Sequence, residues 1–118
     1  MNEIMNPAAV RHDPDFPHAP ADWVREDAER VAAEEGLELG EAHWELVRAL
    51  QEYYQRHEDP GAVALRELHD ALDERFHARG GIKYLYELMP GGPVAQGARL
   101  AGVKPPPEAA SASFGSVA

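Results

Sequence analysis

Apolar positions recur at helical spacing in three stretches of the chain and crowd together in a fourth. Between Ala21 and Glu35, the residues Trp23, Val24, Ala28, Val31 and Ala32 form one apolar stripe and predict a first helix. Asp22, Glu26 and Asp27 fall in its opening turns, where carboxylates complement the helix dipole, and Gly36 is a natural stop. A second helix is predicted from Glu41 to Arg56, with His43, Leu46, Val47, Leu50, Tyr53 and Tyr54 on one broad face. Gly40 stands at its start without a side-chain acceptor and predicts a weak cap. Asp59 as N-cap and Pro60 at the first helical position open a third helix. Leu65, Leu68, Leu72 and Phe76 carry its stripe, and Gly80-Gly81 end it. The run Ile82–Met89 is too short for periodicity to decide, but the break at Pro90-Gly91-Gly92-Pro93 favours a short helix. A last short helix is predicted from Pro93 to Ala101, closed by Gly102.

The flanks read differently. Pro7, Pro14, Pro17 and Pro20 exclude a long helix or a central strand over residues 1–20, which leaves an irregular arm with room for a short edge strand near Val10 or Phe16. Pro105-Pro106-Pro107 favours an extended polyproline segment that projects from the domain, and the Ser/Ala/Gly residues after it read as disordered. The predicted organisation is an irregular arm over 1–20, a helical domain over 21–102 and a C-terminal arm with its tail over 103–118. A chain of 118 residues suits one domain.

Charge narrows the function. The sum of 11 basic and 21 acidic residues is −10, which argues against phosphate-backbone binding as the main activity. From Asp22 to Glu45 nine acidic residues face two basic ones, whereas Gly91 to the end carries only Arg99, Lys104 and Glu108. The acidic stretch reads as a solvated helix surface, or as a docking surface for a basic partner. There is no cysteine, hence no disulfide, thiolate metal site or thiol nucleophile. No apolar run approaches the roughly 20 residues of a membrane span, and no secretory h-region opens the chain, so a cytoplasmic protein is expected.

Candidate chemistry is sparse. His69, Asp73 and His77 share a helix face, but their ends stand about 12 Å apart along the axis, so one ion could use only an adjacent pair, and a polar face is the simpler reading. His43-Trp44 divides between core and rim rather than forming a catalytic pair. Tyr53-Tyr54 and Tyr84-Leu85-Tyr86 lack interleaved basic residues and read as packing aromatics rather than base-stacking platforms. No phosphate-cradling glycine loop is present, and no cofactor or metal is implied.

Three stretches together resemble the DsrC/TusE family of sulfur-relay proteins, related to the so-called gamma subunit of dissimilatory sulfite reductase. They are Asp22-Trp23; Glu35-Gly36-Leu37-Glu38-Leu39 leading to His43-Trp44-Glu45 and Tyr53-Tyr54; and Tyr84-Leu85-Tyr86-Glu87-Leu88-Met89-Pro90-Gly91-Gly92-Pro93, continued by Gln96 and Leu100-Ala101-Gly102-Val103. The resemblance implies a mainly α fold, an orthogonal helical bundle of about five helices with an extended C-terminal arm. The family's small N-terminal β-hairpin would be shortened or lost among the prolines.

The resemblance also implies where sulfur chemistry would sit. Family members carry sulfur on a cysteine next to last in the chain, and many have a second one eleven residues earlier. Those positions fall on Ala109 and Ala98. A methyl group forms neither thiolate nor persulfide, so the relay chemistry does not carry over. Further departures accompany the loss: the family's arginine after the proline opening the third helix is Val63, its lysine four residues on is Glu67, and its threonine before the His-Trp pair is Gly40. Such scattered changes read as natural divergence rather than a laboratory exchange of two cysteines.

The leading expectation is therefore a non-enzymatic binding protein of sulfur metabolism, regulatory or competitive, partnered by sulfur-transfer or sulfite-reductase-type proteins. Its expected contacts are Tyr84, Tyr86, Pro90, Gly92, Pro93, Gln96, Arg99 and Lys104. The alternatives are a structural subunit of a sulfur-relay or tRNA-thiolation complex, or a DNA-binding regulator, for which the net charge is unfavourable.

Overall fold

A computed structural model describes residues 13–57 and 63–106. Five α-helices account for most of them: α1 (Arg25–Glu35), α2 (Glu41–Gln55), α3 (Leu65–Arg75), α4 (Gly81–Leu88) and α5 (Ala95–Ala101), with a 3-10 turn at His77–Arg79 between α3 and α4. No strand occurs among the described residues. The architecture is the mainly α bundle expected. Helix α5 packs against both α1 and α2, while α3 packs on α4 and the 3-10 turn.

The helix ends follow local chemistry. α1 begins four residues later than its apolar stripe suggests, because Asp27 accepts the Val24 backbone N–H at 3.0 Å and fixes Val24 as the cap. It stops at Gly36 (φ 70°), where the Leu37 N–H reaches back to the Ala32 carbonyl at 2.8 Å. The weak cap expected at Gly40 is reinforced by a side chain: Nδ1 of His43 accepts the Gly40 N–H at 2.9 Å. That leaves the proton on Nε2, which donates to the Leu88 carbonyl at 3.0 Å. One neutral imidazole thus opens α2 and ties it to the end of α4. Asp73 similarly accepts the Ile82 N–H at 2.7 Å and opens α4.

Several boundaries differ from the sequence reading. α3 starts at Leu65 with Ala64 as its cap; Asp59 and Pro60 lie outside the described residues. Val63 is 3% exposed and extends into the core ahead of the helix. α3 ends at Arg75 rather than at the glycine pair, because the chain tightens into the 3-10 turn. α5 starts at Ala95, with Pro93 and Val94 in the preceding turn.

Residues 13–24, ahead of α1, are irregular and pack onto the domain. Phe16 is 1% exposed, with Trp23 and Trp44 ring centroids 4.9 and 5.6 Å from its own. The guanidinium groups of Arg25 and Arg48 stand 5.0 and 4.7 Å from the Phe16 ring. Arg48 also donates to the Asp15 carbonyl at 2.9 Å, and Arg25 pairs with Asp13 and Asp15. Turns closed by Phe16 N–H to Asp13 and Trp23 N–H to Pro20 occupy the place where an edge strand near Phe16 was expected. Val10 lies outside the described residues.

At the far end, Gly102 (φ 77°) ends α5, and the Gly102 and Val103 N–H groups both return to the Ala98 carbonyl. Pro105 is half-buried and Pro106 buried, so the root of the C-terminal arm lies on the domain instead of projecting from it. The tail expected to be disordered lies outside the described residues.

Gly36 and Gly102 separate backbone strain from packing. Both have positive φ, but a Cβ on Gly36 meets nothing within 4 Å, whereas one on Gly102 falls 2.6 Å from Cδ1 of the buried Trp23. Gly36→Ala should cost about 1–2 kcal/mol from left-handed strain alone. Gly102→Ala should cost roughly 1–3 kcal/mol more, because Trp23 has no room to retreat. Urea unfolding midpoints check this, and equal losses would contradict the packing account.

Candidate family sulfur position and its surroundings

Helix α5 has only seven residues, and six of them are buried: Ala95, Gln96, Gly97, Ala98, Leu100 and Ala101. Small side chains make this possible. A Cβ on Gly97 would stand 2.7 Å from Cδ1 of Leu50, so α2 and α5 approach at a distance that glycine permits. Ala98 is 0% exposed. The position at which the resemblance places the earlier of the two thiols is a methyl group inside the domain. Ala109 lies outside the described residues.

The last carbonyls of α5 lack helical partners and would be costly to bury unpaired. Trp23 Nε1–H donates to the Leu100 carbonyl at 2.8 Å, and Gln51 Nε2–H donates to the Ala101 carbonyl at 3.0 Å. These bonds bind the end of α5 to the segment before α1 and to α2. Composition gives no sign of them; the hint is only that an indole and an amide fall among apolar stripes.

The start of α5 is fixed by a carboxylate from α1. Gln96, 5% exposed, accepts the Gly91 N–H at 3.0 Å through Oε1 and donates through Nε2 to Glu35 at 2.8 Å. Arg99 donates to the same carboxylate through Nε at 2.6 Å and Nη2 at 3.0 Å. The Arg99 hydrogen bonds, against an opposing effect of burial and with help from Gln96, hold the Glu35 carboxyl below the usual carboxylate range. The Pro90–Pro93 turn, α1 and α5 are thereby locked together. Glu35 is not among the expected contact residues, since its partners lie 61 and 64 positions away.

The expected contact residues take different places around this lock. Tyr86 is 45% exposed, the exposed large hydrophobic among the described residues. Its ring edge lies beside Gly92, and its centroid is 6.2 Å from that of His69. Pro90 is exposed, and Arg99 is exposed beside Glu35. Pro93 and Gln96 are buried and shape the turn from within. Tyr84 is half-buried with its ring 6.4 Å from Phe76. Lys104 stands elsewhere, on a groove shared with Tyr54 and Gln51. The structure therefore brings Tyr86, Pro90, Gly92 and Arg99 around one turn and sets Lys104 apart.

The region holds no cysteine, so it offers no nucleophilic sulfur. Among the described residues no group of three or more His, Asp or Glu is placed to hold a metal ion. Asp73, shortlisted with His69 and His77, is engaged in opening α4. Arg25, Arg30, Arg48, Arg56, Arg75, Arg79 and Arg99 each lie within ion-pair distance of a carboxylate.

The Glu35 lock sets a pH dependence. A carboxyl whose value is depressed by folding contributes stability that is fully present above its unfolded value of roughly 4.3 and is lost as pH falls through the lower folded value. Glu35→Gln should therefore be less stable than the parent near neutrality, and the gap should close below about pH 4. Urea midpoints at pH 7 and at pH 3 check this; a gap independent of pH would contradict it.

Comparison with known proteins agrees with the resemblance in the sequence. A family model described as "DsrC like protein" matches residues 6–109. Sulfurtransferase TusE of Salmonella typhimurium strain LT2 is 39% identical over 85 residues, covering 71% of this chain and 76% of that protein. Sulfurtransferase TusE of Yersinia pestis is 37% identical over 86 residues, covering 72% and 77%. The NMR structure of Allochromatium vinosum DsrC superimposes with a TM-score of 0.60 at 40% identity, covering 72% of this chain and 75% of that one. With a family model matching nearly the whole chain and relatives at 37–39% identity over more than two thirds of it, the chain belongs to the DsrC family.

Proposed function

We propose that this chain is a non-carrier member of the family, one that binds proteins of a cytoplasmic sulfur relay without transporting sulfur itself. The observation that carries this reading is the buried methyl of Ala98 on an otherwise intact α5 scaffold, in a chain without any cysteine. The relatives named sulfurtransferases supply the pathway, and the absent thiol removes the cargo. What persists is shape: a rigid glycine-proline turn, an exposed tyrosine and an arginine aligned by Glu35. A partner that docks on a carrier through such features would accept this chain as a competitor or as a regulatory subunit.

Tyr86 suits the role of anchor. Aromatic side chains dominate interface energetics because they bury large area at small entropic cost, and Tyr86 is already held beside Gly92 and His69. DNA binding has little support, since the exposed arginines named above are engaged with carboxylates and the net charge is −10.

Calorimetric titration against purified sulfur-transfer and sulfite-reductase-type proteins of the same cell tests the reading. At least one should bind, and a cysteine-bearing relative should displace it. Tyr86→Ala should weaken that binding by about tenfold or more while leaving thermal unfolding unchanged. No binding at all, or an affinity indifferent to Tyr86, would contradict the proposal.

A further inference from the structure

A groove of about 470 Å³ opens on the domain away from the Glu35 lock. One wall is the turn at residues 18–20, the floor is α2 with Gln51, Tyr54 and Gln55, and the other wall is the chain leaving α5 at residues 102–104. Its size falls in the range of small-molecule sites, and its lining is mostly apolar. Two polar groups interrupt that lining. Gln51 is 1% exposed and Tyr54 6%, yet Gln51 Oε1 and the Tyr54 hydroxyl have no hydrogen-bond partner among the described residues. They stand three positions apart on α2, hence on one face of the helix.

Buried polar atoms in native proteins are paired almost without exception, so these two define what a ligand would bring. Gln51 donates an amide N–H to the Ala101 carbonyl, so its free oxygen calls for a donor. Burial, with a smaller effect of Tyr53, pushes the Tyr54 phenol up to about 12, so it remains a neutral hydroxyl able to donate and accept. One ligand hydroxyl, donating to Gln51 and accepting from Tyr54, satisfies both. Lys104 is exposed on the same lining, and among the described residues no carboxylate lies within ion-pair distance of it, in contrast to the seven paired arginines. An anionic end on the ligand would meet that free ammonium. Ala19, Pro20, Val103 and the Tyr54 ring supply apolar contact for a flat body between the two ends. Both unpaired atoms are shut from solvent, so a ligand reaches them by parting side chains of the lining. The hydrogen bond between His18 and Gln55 on that lining is exposed, so opening it costs little.

We propose that the groove is a binding site for an aromatic hydroxy acid, its ring on the apolar lining, its hydroxyl on Gln51 and Tyr54 and its carboxylate on Lys104. The site lies apart from Tyr86 and position 98, and it stands whether or not the chain is a non-carrier. An unpaired buried hydroxyl destabilises the free protein, so a Tyr54 with a packing role alone would serve better as phenylalanine. Recognition of a ligand hydroxyl gives the oxygen a use.

Chemical-shift titration of the full chain with 4-hydroxyphenylacetate tests this, with phenylacetate (no hydroxyl) and 4-methylphenol (no carboxylate) as controls. Saturable binding at millimolar concentration is expected, with shifts at the Gln51 side-chain amide, Val103 and Lys104 and none at Tyr86. Each control should bind about fivefold more weakly. Tyr54→Phe should leave the free chain at least as stable to urea, weaken 4-hydroxyphenylacetate about fivefold and leave phenylacetate unchanged. Lys104→Gln should remove the advantage over 4-methylphenol. Absence of saturable binding, equal binding of the three compounds, or a Tyr54→Phe chain that binds 4-hydroxyphenylacetate as tightly as the parent would each overturn the proposal. So would a loss of stability in Tyr54→Phe, since the hydroxyl would then already have a partner.

Discussion

The placement of one short helix constrains everything else in this protein. α5 is buried on nearly all sides, and a helix so enclosed must be built from small residues and must have its terminal polar groups met by other side chains. Gly97 meets the first demand against Leu46 and Leu50 of α2, and Ala98 beside it is fully buried. Trp23 and Gln51 meet the second at its end, while Gln96 and Glu35 secure the turn at its start. Each of these contacts joins segments far apart in sequence, so α5 is the point at which α1, α2 and the two flanking segments become one body.

That geometry shows that a chain without cysteine can keep the scaffold whole. Position 98 is filled by a side chain small enough for the packing, and nothing in the network of Glu35, Gln96 and Arg99 requires a thiol. In the proposed non-carrier reading, alanine at this position removes the chemistry and retains the architecture. The surface around Pro90, Gly92 and Tyr86 stays rigid for the same reason, because the buried Pro93 and Gln96 hold it from within. A rigid surface suits recognition, since little ordering entropy remains to oppose association.

The helices were legible because their apolar stripes are what a helix buries: Leu46, Leu50, Leu68, Leu72 and Leu85 are all core residues in the structure. The family was legible in the order of short motifs around the Gly-Pro turn. Boundaries were less so. Pro60 pointed to an early start for α3, but Val63 is drawn into the core before helical geometry begins at Leu65. Three consecutive prolines suggested a projecting arm, yet Pro106 is buried, because proline stiffness fixes local shape and not direction. The pairing of Glu35 with Arg99 was invisible, since an ion pair across 64 positions leaves no local pattern. Phe16 was hidden by its proline-rich surroundings, although two tryptophans and two arginines enclose it.

The central claim is that a sulfur-relay fold persists here without sulfur as cargo. Intact-protein mass spectrometry after incubation with a persulfide-loaded donor sulfurtransferase tests it most directly, with a cysteine-bearing relative as the positive control. The account predicts that the relative gains one sulfur, removable by a thiol reductant, while this chain keeps its unmodified mass. A reductant-sensitive gain of one sulfur on this chain would contradict it.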